Sequence, residues 1–192
     1  MSAPLLIADD LAKFYGSRVG CRDVSFRLDA GEVLAIVGES GSGKTTLLNL
    51  LSGRMAPDRG AISYRMRGGE LRDLASLSEA ERRHLARTDW GFVHQDAAQG
   101  LRMNVSAGGN IGERLMAVGA RHYGDIRGAA ADWLARVEIP EERLDDAPKS
   151  FSGGMQQRIM IAMALASQPR LLVADEPTTA LDVTIQAQII QI

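Results

Sequence analysis

The sequence contains few of the residues that mark secreted, membrane-spanning or nucleic-acid-binding proteins. Its single cysteine, Cys21, cannot form an internal disulfide and has no partner at metal-ligand spacing. No uninterrupted apolar run approaches the ~20 residues of a membrane helix, and the start at Met1 lacks the regions of a signal peptide. The formal net charge of -2 argues against a nucleic-acid partner. These absences predict a cytoplasmic protein, with peripheral attachment to a membrane through partners left open.

Lysine is also scarce. Only Lys13, Lys44 and Lys149 are lysines among the 22 lysine and arginine residues, so a basic position chosen at random would be an arginine. The composition, 45% hydrophobic and 24% charged, is that of an ordinary globular protein. A chain of 192 residues can bury one substantial core, so a single domain, with or without a subdomain, is expected.

One of these lysines lies at the end of a glycine-rich loop. The apolar residues 33–37 predict a buried strand before the loop, and residues 47–51 predict a helix after it. The loop and the start of the helix consist of Gly38, Glu39, Ser40, Gly41, Ser42, Gly43, Lys44, Thr45 and Thr46. This spacing is that of a P-loop, whose backbone N–H groups and helix N-terminus bind a polyphosphate. Lys44 would bind the terminal phosphates, and the Thr45 hydroxyl would bind magnesium. A glycine-rich turn with an incidental lysine is the alternative.

Three short strands are predicted in the first part of the chain. Residues 5–8 are apolar, and Val24, Phe26 and Leu28 alternate with polar residues as in a half-exposed antiparallel strand. Residues 60–64 predict another edge strand, followed by a turn at residues 68–69. Tyr15 lies between the first two strands, and by composition alone a core position is the better interpretation of this aromatic residue.

A helix and a core strand follow. Ser78 and Glu81 have the S-x-x-E spacing of a capping box, which predicts a helix from there to about Arg87. Residues 90–94 are aromatic and β-branched and predict a core strand that ends at Gln95.

The character of the chain changes between residues 96 and 148. Two amphipathic helices are predicted at about 110–118 and 125–137, and their apolar faces include Leu115, Trp133, Leu134 and Val137. The pair Gly108 and Gly109 is a hinge or a plain loop, and the sequence does not distinguish the two.

Two further motifs complete the chemistry. Ser152, Gly153 and Gly154 precede the apolar helical residues 159–166, which creates a second helix start that can receive an anion. The apolar residues 171–174 predict a buried strand that is followed directly by Asp175 and Glu176. Two carboxylates at the end of a buried parallel strand call for a cation, which predicts a position beside the magnesium of the P-loop.

Together these motifs resemble those of the ATP-binding cassette (ABC) family. The P-loop, Gln95, the signature at Ser152, the pair at Asp175 and Glu176, and the D-loop at residues 180–182 follow in the family's order. The signature departs from the commonest form at Phe151 and Met155, a variant also found in peptide importers.

The resemblance implies a role for each residue. Tyr15 matches the aromatic residue that stacks on adenine. Thr45, Gln95 and Asp175 match the magnesium contacts, and Glu176 matches the general base that activates the attacking water. Asp182 of the D-loop is implied in nucleotide binding, together with the P-loop and signature residues.

The resemblance also implies the fold and the assembly. The expected fold is α/β, a P-loop NTPase core with an antiparallel β subdomain and an inserted α-helical subdomain. One domain over 1–192 would contain the nucleotide-binding core at 1–95 and 167–192, with the helical signature subdomain at 96–166. The activity would be ATP hydrolysis with Mg²⁺, in a head-to-tail dimer with a second cassette, either identical or different. Because the family carries a further core strand and a switch histidine after the position of Ile192, this stretch is expected to bind Mg-ATP but to hydrolyse it poorly.

A narrower resemblance concerns the helical segment. Residues 105–116 and 119–127 are similar to the K-subunit cassettes of bacterial carbon–phosphorus lyase systems, which take part in phosphonate breakdown and dock on soluble lyase core subunits. The end of the chain, residues 174–191, is equally similar to peptide and nickel importer ATPases, which dock on transmembrane permease subunits. A third hypothesis is a nucleotide-gated binding module without turnover, against which the intact Glu176 argues.

Overall fold

The computed structural model describes residues 3–177. The chain forms two compact units, Met1–His84 and Leu85–Ile192. The predicted D-loop, including Asp182, lies outside the described residues.

The first unit contains a four-stranded antiparallel sheet in the order β2-β1-β3-β4. Its strands are β1 (Pro4–Tyr15), β2 (Arg18–Asp29), β3 (Arg59–Arg65) and β4 (Leu71–Asp73). The first two predicted strands are confirmed and are longer than expected. The prediction of an edge strand at residues 60–64 is wrong, because β3 pairs with β1 on one side and with β4 on the other. Ile62 and Tyr64 of β3 are accordingly buried. The predicted turn is confirmed, since the Gly69 amide donates to the Met66 carbonyl at 2.9 Å.

Helix α1 (Lys44–Leu51) confirms the predicted helix after the glycine-rich loop and buries Leu47, Leu50 and Leu51. The prediction of a buried strand at residues 33–37 is not confirmed. The side chains of Val33 and Val37 are each 91% exposed, and the segment belongs to no strand. A strand needs a neighbour for its N–H and C=O groups, and none pairs with this segment among residues 3–177.

Helix α2 (Glu79–Thr88) begins at the predicted capping box. The Ser78 Oγ accepts from the Glu81 amide at 3.2 Å. The Glu81 carboxylate accepts in return from the Ser78 amide and hydroxyl, each at 2.8 Å. These hydrogen bonds lower the pKa of Glu81 to about 2, and Arg72 contributes a further one.

The second unit packs helices against a parallel pair of strands. Strands β5 (Trp90–Val93) and β6 (Leu171–Ala174) pair in register, so that Val93 lies opposite Ala174. The helices are α3 (Ala107–Ala117), α4 (Tyr123–Arg136) and α5 (Gly153–Ala166). Their shared core includes Ile111, Leu134 and Ile159. In the part of the chain that the structure describes, no helix is long and apolar enough to cross a membrane.

The two glycines of α3 do not form a hinge or a loop. Gly108 and Gly109 lie in the first turn of this helix, where the Ser106 Oγ accepts from the Gly109 amide at 3.1 Å. A Cβ on Gly108 would lie 2.5 Å from Leu144 Cδ1. The glycine therefore permits close packing of the helix start, a nonlocal contact that the sequence does not reveal.

Candidate functional site

The glycine-rich loop adopts a conformation that only glycine takes readily. Gly41 and Gly43 have φ values of 80° and 96°, and the Ser42 amide donates to the Glu39 carbonyl at 3.2 Å. Lys44 Nζ donates to the carbonyls of Gly38 and Glu39, each at 2.9 Å, so the ammonium group lies over the loop. The P-loop turn predicted from the spacing is therefore present at the start of α1.

The donors of this loop fit a polyphosphate. The first turn of α1 consists of Lys44, Thr45 and Thr46 and so contains no carboxylate. Its N-cap, Gly43, has no side chain to accept from the first N–H groups of the helix. These backbone donors, the helix dipole and the Lys44 ammonium group all favour an anion.

Gly43 also makes a close approach that sequence analysis missed. A Cβ at this position would lie 1.8 Å from the carbonyl oxygen of Gly20 in β2. Gly20 is itself crowded, because its Cβ would lie 2.8 Å from Tyr15 Cε2 and 3.1 Å from Thr46 Cγ2. Two glycines 23 positions apart carry no local signal of this contact, so only the fold could reveal it.

Tyr15 lies beside the same helix. Its side chain is 47% exposed, which contradicts the interpretation as a core aromatic. Its hydroxyl lies 3.4 Å from Thr46 Oγ1 and donates to Met55 Sδ at 3.3 Å. An exposed ring next to the loop can stack on a planar ligand.

In the second unit, the predicted polar residues meet at the carboxyl ends of β5 and β6. The Gln95 amide Nε2 donates to Glu176 Oε2 at 2.9 Å. Asp175 is buried, and its backbone N–H donates to the Val93 carbonyl at 2.9 Å. Glu176 has a positive φ of 46°, which is uncommon for a residue with a Cβ. The parallel pairing predicted from sequence thus brings residues 81 positions apart into contact.

The Ser-Gly-Gly motif begins α5 as predicted. Ser152 is the N-cap, and its Oγ accepts from the Met155 amide at 3.4 Å. A Cβ on Gly153 would meet no described atom within 4 Å, so packing against residues 3–177 does not require a glycine there. The preceding Phe151 is held by Arg143, whose guanidinium lies 3.8 Å from the ring centroid.

Sequence analysis also missed a polar residue inside α5. The Gln157 side chain is 1% exposed, and its Nε2 donates to the carbonyls of His94 and Pro177, each at 3.1 Å. A glutamine one turn into an apolar helix was the only signal for it.

Comparison with known proteins gives the family. The family model described as ABC transporter matches residues 21–179. The chain belongs to the ABC transporter family. This cassette is an ABC-type ATPase, and the predicted α/β ABC fold is confirmed by its structural neighbours.

Two curated relatives show how far the similarity extends. The "Putative phosphonates utilization ATP-binding protein PhnK" of Escherichia coli (strain K12) is 57% identical over 192 residues, which is 100% of this cassette and 74% of that protein. The "Oligopeptide transport ATP-binding protein OppD" of Bacillus subtilis (strain 168) is 44% identical over 201 residues. This cassette spans 54% of OppD.

Two solved structures of MJ0796 are similar to this cassette over 97% of its length and 80% of theirs, at 30% identity. One is described as a dimeric bacterial ABC transporter cassette and has a TM-score of 0.87. The other is a dimeric post-hydrolysis state bound to ADP and Pi, with a TM-score of 0.86.

Proposed function

We propose that Gln95, Asp175 and Glu176 carry out the hydrolytic step of this ATPase. The hydrogen bond between Gln95 and Glu176 supports this assignment most directly, because it aligns a carboxylate beside a buried aspartate at the end of two parallel strands. Glu176 accepts the proton of the attacking water. The P-loop from Gly38 to Thr46 binds the phosphates, and the ring of Tyr15 stacks on the adenine.

Magnesium is compatible with the oxygen ligands of the proposed site. No cluster of three or more His, Cys, Asp and Glu side chains among residues 3–177 could hold a metal. Mg²⁺ usually takes one or two carboxylates and completes its coordination with waters and substrate phosphates. In this proposal Asp175 would supply the carboxylate and Gln95 a neutral oxygen in the second unit, and the Thr45 hydroxyl is the candidate magnesium ligand of the first unit. The bound ion would neutralise charge on the phosphates.

The test is Glu176→Gln in the full-length protein with its partners. ATP affinity should persist and turnover should fall by about 10² to 10⁴, because a positioned general base contributes that much. Glu138→Gln is the control, since Glu138 also has a positive φ, of 56°, but lies at the end of α4. Equal loss of ATP binding and turnover in Glu176→Gln would show a structural role instead.

We further propose that two cassettes form a head-to-tail dimer in which Ser152, Gly153 and Gly154 face the γ-phosphate of the other subunit. Both MJ0796 structures are dimeric. Gly153 supports the proposal, because it leaves open space that no described atom of its own chain fills. Asp182, outside the described residues, is proposed to take part in nucleotide binding. We also propose a nucleotide-binding core at 1–95 and 167–192 and a helical signature subdomain at 96–166.

The proposed role is to power or remodel a carbon–phosphorus lyase complex in phosphonate catabolism. The observation that carries it is the 57% identity over the whole cassette to a protein named for phosphonate utilisation. The second candidate, an importer of phosphonates, peptides or similar solutes, is favoured by the 44% identity to OppD, which is named for oligopeptide transport.

Affinity purification of the full-length protein with mass spectrometry distinguishes the two roles. Soluble lyase core subunits in the eluate would support the first, and a pair of transmembrane permease subunits would refute it. The proposed contact surface is residues 96–112, and within it Asn110 fixes the backbone between Arg102 and Ser106. The Asn110 side chain accepts from the Arg102 amide at 2.8 Å and donates to three carbonyls, those of Arg102, Val105 and Ser106.

Charge reversal tests this surface. Arg102 is exposed and pairs with Glu113 at 3.0 Å, and Arg102→Glu should reduce recovery of the partner. Arg127→Glu is a matched control, because Arg127 is also an exposed arginine with a carboxylate partner, Asp145. Equal partner recovery from both variants would remove residues 96–112 from the proposed interface.

A further inference from the structure

Gln157 is a buried polar side chain that none of the roles above uses. Its amide nitrogen donates two hydrogen bonds of 3.1 Å, to the carbonyls of His94 and Pro177. Carbonyl oxygens only accept, so the geometry requires the nitrogen and not the oxygen of the amide on this side. Both hydrogens of the NH₂ group are therefore used, one in each hydrogen bond to the segments that follow β5 and β6.

The two carbonyls flank the proposed catalytic pair. His94 directly precedes Gln95, and Pro177 directly follows Glu176. The side chains of Gln95 and Glu176 are joined to each other at 2.9 Å. Gln157 thus holds the backbone behind both partners of that hydrogen bond.

The backbone at Glu176 needs such support. Its φ of 46° lies in the left-handed region, where a residue with a Cβ is strained. Pro177 adds a restriction, since a proline limits the conformations of the residue before it. Strain of this kind persists only where surrounding contacts fix it, and the hydrogen bond from Gln157 to the Pro177 carbonyl is one of those contacts.

Gln157 also belongs to the helix that begins with the Ser-Gly-Gly motif. Ser152 is the N-cap of α5, and Gln157 lies five residues further along. At 1.5 Å per residue this is about 7.5 Å along the helix axis. A rigid helix transmits a displacement of its start to this side chain.

We propose that Gln157 is a positioning residue for ATP hydrolysis. It fixes the carbonyl of His94, before Gln95, and the carbonyl of Pro177, after Glu176, and it ties this pair to the start of α5. The inference rests on the proposed catalytic role of Glu176 and deepens it, because it makes the alignment of the base depend on the helix that carries Ser152.

The test compares Gln157→Met with Arg158→Met in the full-length protein with its partners. Methionine has a similar volume to glutamine but donates no hydrogen bond. Arg158 is the matched control, because it lies on the same helix and donates to the carbonyls of Val137 and Glu138, at 3.1 and 2.9 Å, at the end of α4. Each substitution removes two hydrogen bonds to backbone carbonyls.

We expect Gln157→Met to lower kcat about ten- to a hundredfold, because a small misplacement of a catalytic group has effects of that size. ATP affinity by calorimetry should remain within about twofold, since the binding groups are untouched. Arg158→Met should keep the kcat of the parent protein, although its melting temperature should fall about as much as that of Gln157→Met. Gln157→Asn, which keeps the amide but shortens the side chain by one methylene, should fold readily and lose kcat several-fold.

Three outcomes would overturn the inference. The first is that Gln157→Met and Gln157→Asn both have the same kcat as Arg158→Met. The others are that ATP affinity falls in proportion to kcat, or that neither Gln157 variant folds. Glu176→Gln is measured in the same series. If Glu176→Gln loses most of its turnover but Gln157→Met remains fully active, only the inference about Gln157 is refuted. If Glu176→Gln itself remains fully active, the proposed catalytic role of Glu176 is refuted.

Discussion

Lys44 is one of the few lysines in the chain, and its ammonium group is fixed over the glycine-rich loop by the carbonyls of Gly38 and Glu39. Lys44→Ala removes a charge-assisted contact to phosphate of roughly 1.5 to 3 kcal/mol, which corresponds to about ten- to a hundredfold in ATP affinity. Calorimetry measures this directly. Lys149→Ala is the control, since Lys149 donates to Asn104 in the other unit. Unchanged ATP binding in Lys44→Ala would refute the P-loop assignment.

Gly31 and Gly43 both have a positive φ, but only Gly43 is crowded by neighbouring atoms. Comparing alanine substitutions at the two positions therefore distinguishes the effect of backbone strain from the effect of steric crowding. Gly31 has a φ of +79° and would place its Cβ within 4 Å of no described atom, whereas the Cβ of Gly43 would collide with the Gly20 carbonyl. Gly31→Ala should cost about 1 kcal/mol of unfolding free energy from its backbone alone.

Gly43→Ala should cost about 1–3 kcal/mol more than Gly31→Ala, because β2 must move away from α1. Urea unfolding of both variants gives the difference. Equal values would mean that the Gly20 carbonyl does not approach Gly43 in solution.

At the scale of the element, the capping box of α2 predicts a pH dependence. The folded pKa of Glu81, about 2, lies below the ordinary value of 4.5, so protonation favours the unfolded chain. The stabilisation by this carboxylate is complete above pH 4.5 and is lost as the pH falls towards 2. Glu81→Gln removes the charge and replaces one of the two acceptor oxygens with an NH₂ group, while the remaining oxygen can still accept from Ser78.

The melting temperature of Glu81→Gln should therefore lie below that of the parent chain at pH 7, and the gap should close between about pH 4.5 and 2. Glu79→Gln is the control on the same helix, where Glu79 contacts Arg83 at 3.2 Å. A gap that stays constant down to pH 2 would contradict the charge-assisted cap.

Elements with a local cause were predictable. The capping box of Ser78 and Glu81 contains its own partners, and the helices at Lys44–Leu51 and Gly153–Ala166 follow loops whose residues favour a helix start. The meeting of Gln95 with Glu176 was also predictable, because each follows an apolar strand and parallel strands end at one edge.

Features that depend on a distant neighbour were not predictable. Residues 33–37 have the composition of a strand, but a strand exists only where another strand pairs with it. Gly108 and Gly109 resemble a loop until Leu144 is known to pack against Gly108. The two carbonyls that Gln157 binds are 63 and 20 positions away, so its role required the fold.

At the scale of the whole molecule, a head-to-tail dimer predicts complementation between variants. Under the proposed arrangement, Lys44→Ala damages the P-loop of its own chain, and Ser152→Arg blocks the signature that its chain would offer to the other subunit. If the dimer contains two identical cassettes, mixing these two single variants creates one intact site in each mixed dimer. About a quarter of the parent ATPase activity should return, since about half of the dimers are mixed and each has one of two sites.

The control carries the same substitutions on one chain. A Lys44→Ala, Ser152→Arg double variant has no intact site in its mixed dimers with the parent chain, so the activity of that mixture comes only from the dimers, about a quarter, that contain two parent chains. We expect the mixture of the two single variants to have more ATPase activity than either variant alone, because each ATP site is formed by two subunits. No recovery on mixing would show that each site is completed within one chain or by a different cassette.

The separation of Gln95 and Glu176 along the sequence determines when their hydrogen bond can form during synthesis. Gln95 leaves the ribosome 81 residues before Glu176, and at a typical 5–20 residues per second this interval lasts about 4 to 16 s. During that time β5 has been made but its partner β6 has not. Until β6 is made, β5 lacks this pairing and leaves an unpaired strand edge, which is the kind of surface that favours aggregation. Under the proposed role of Glu176, the nascent chain cannot hydrolyse ATP during this interval.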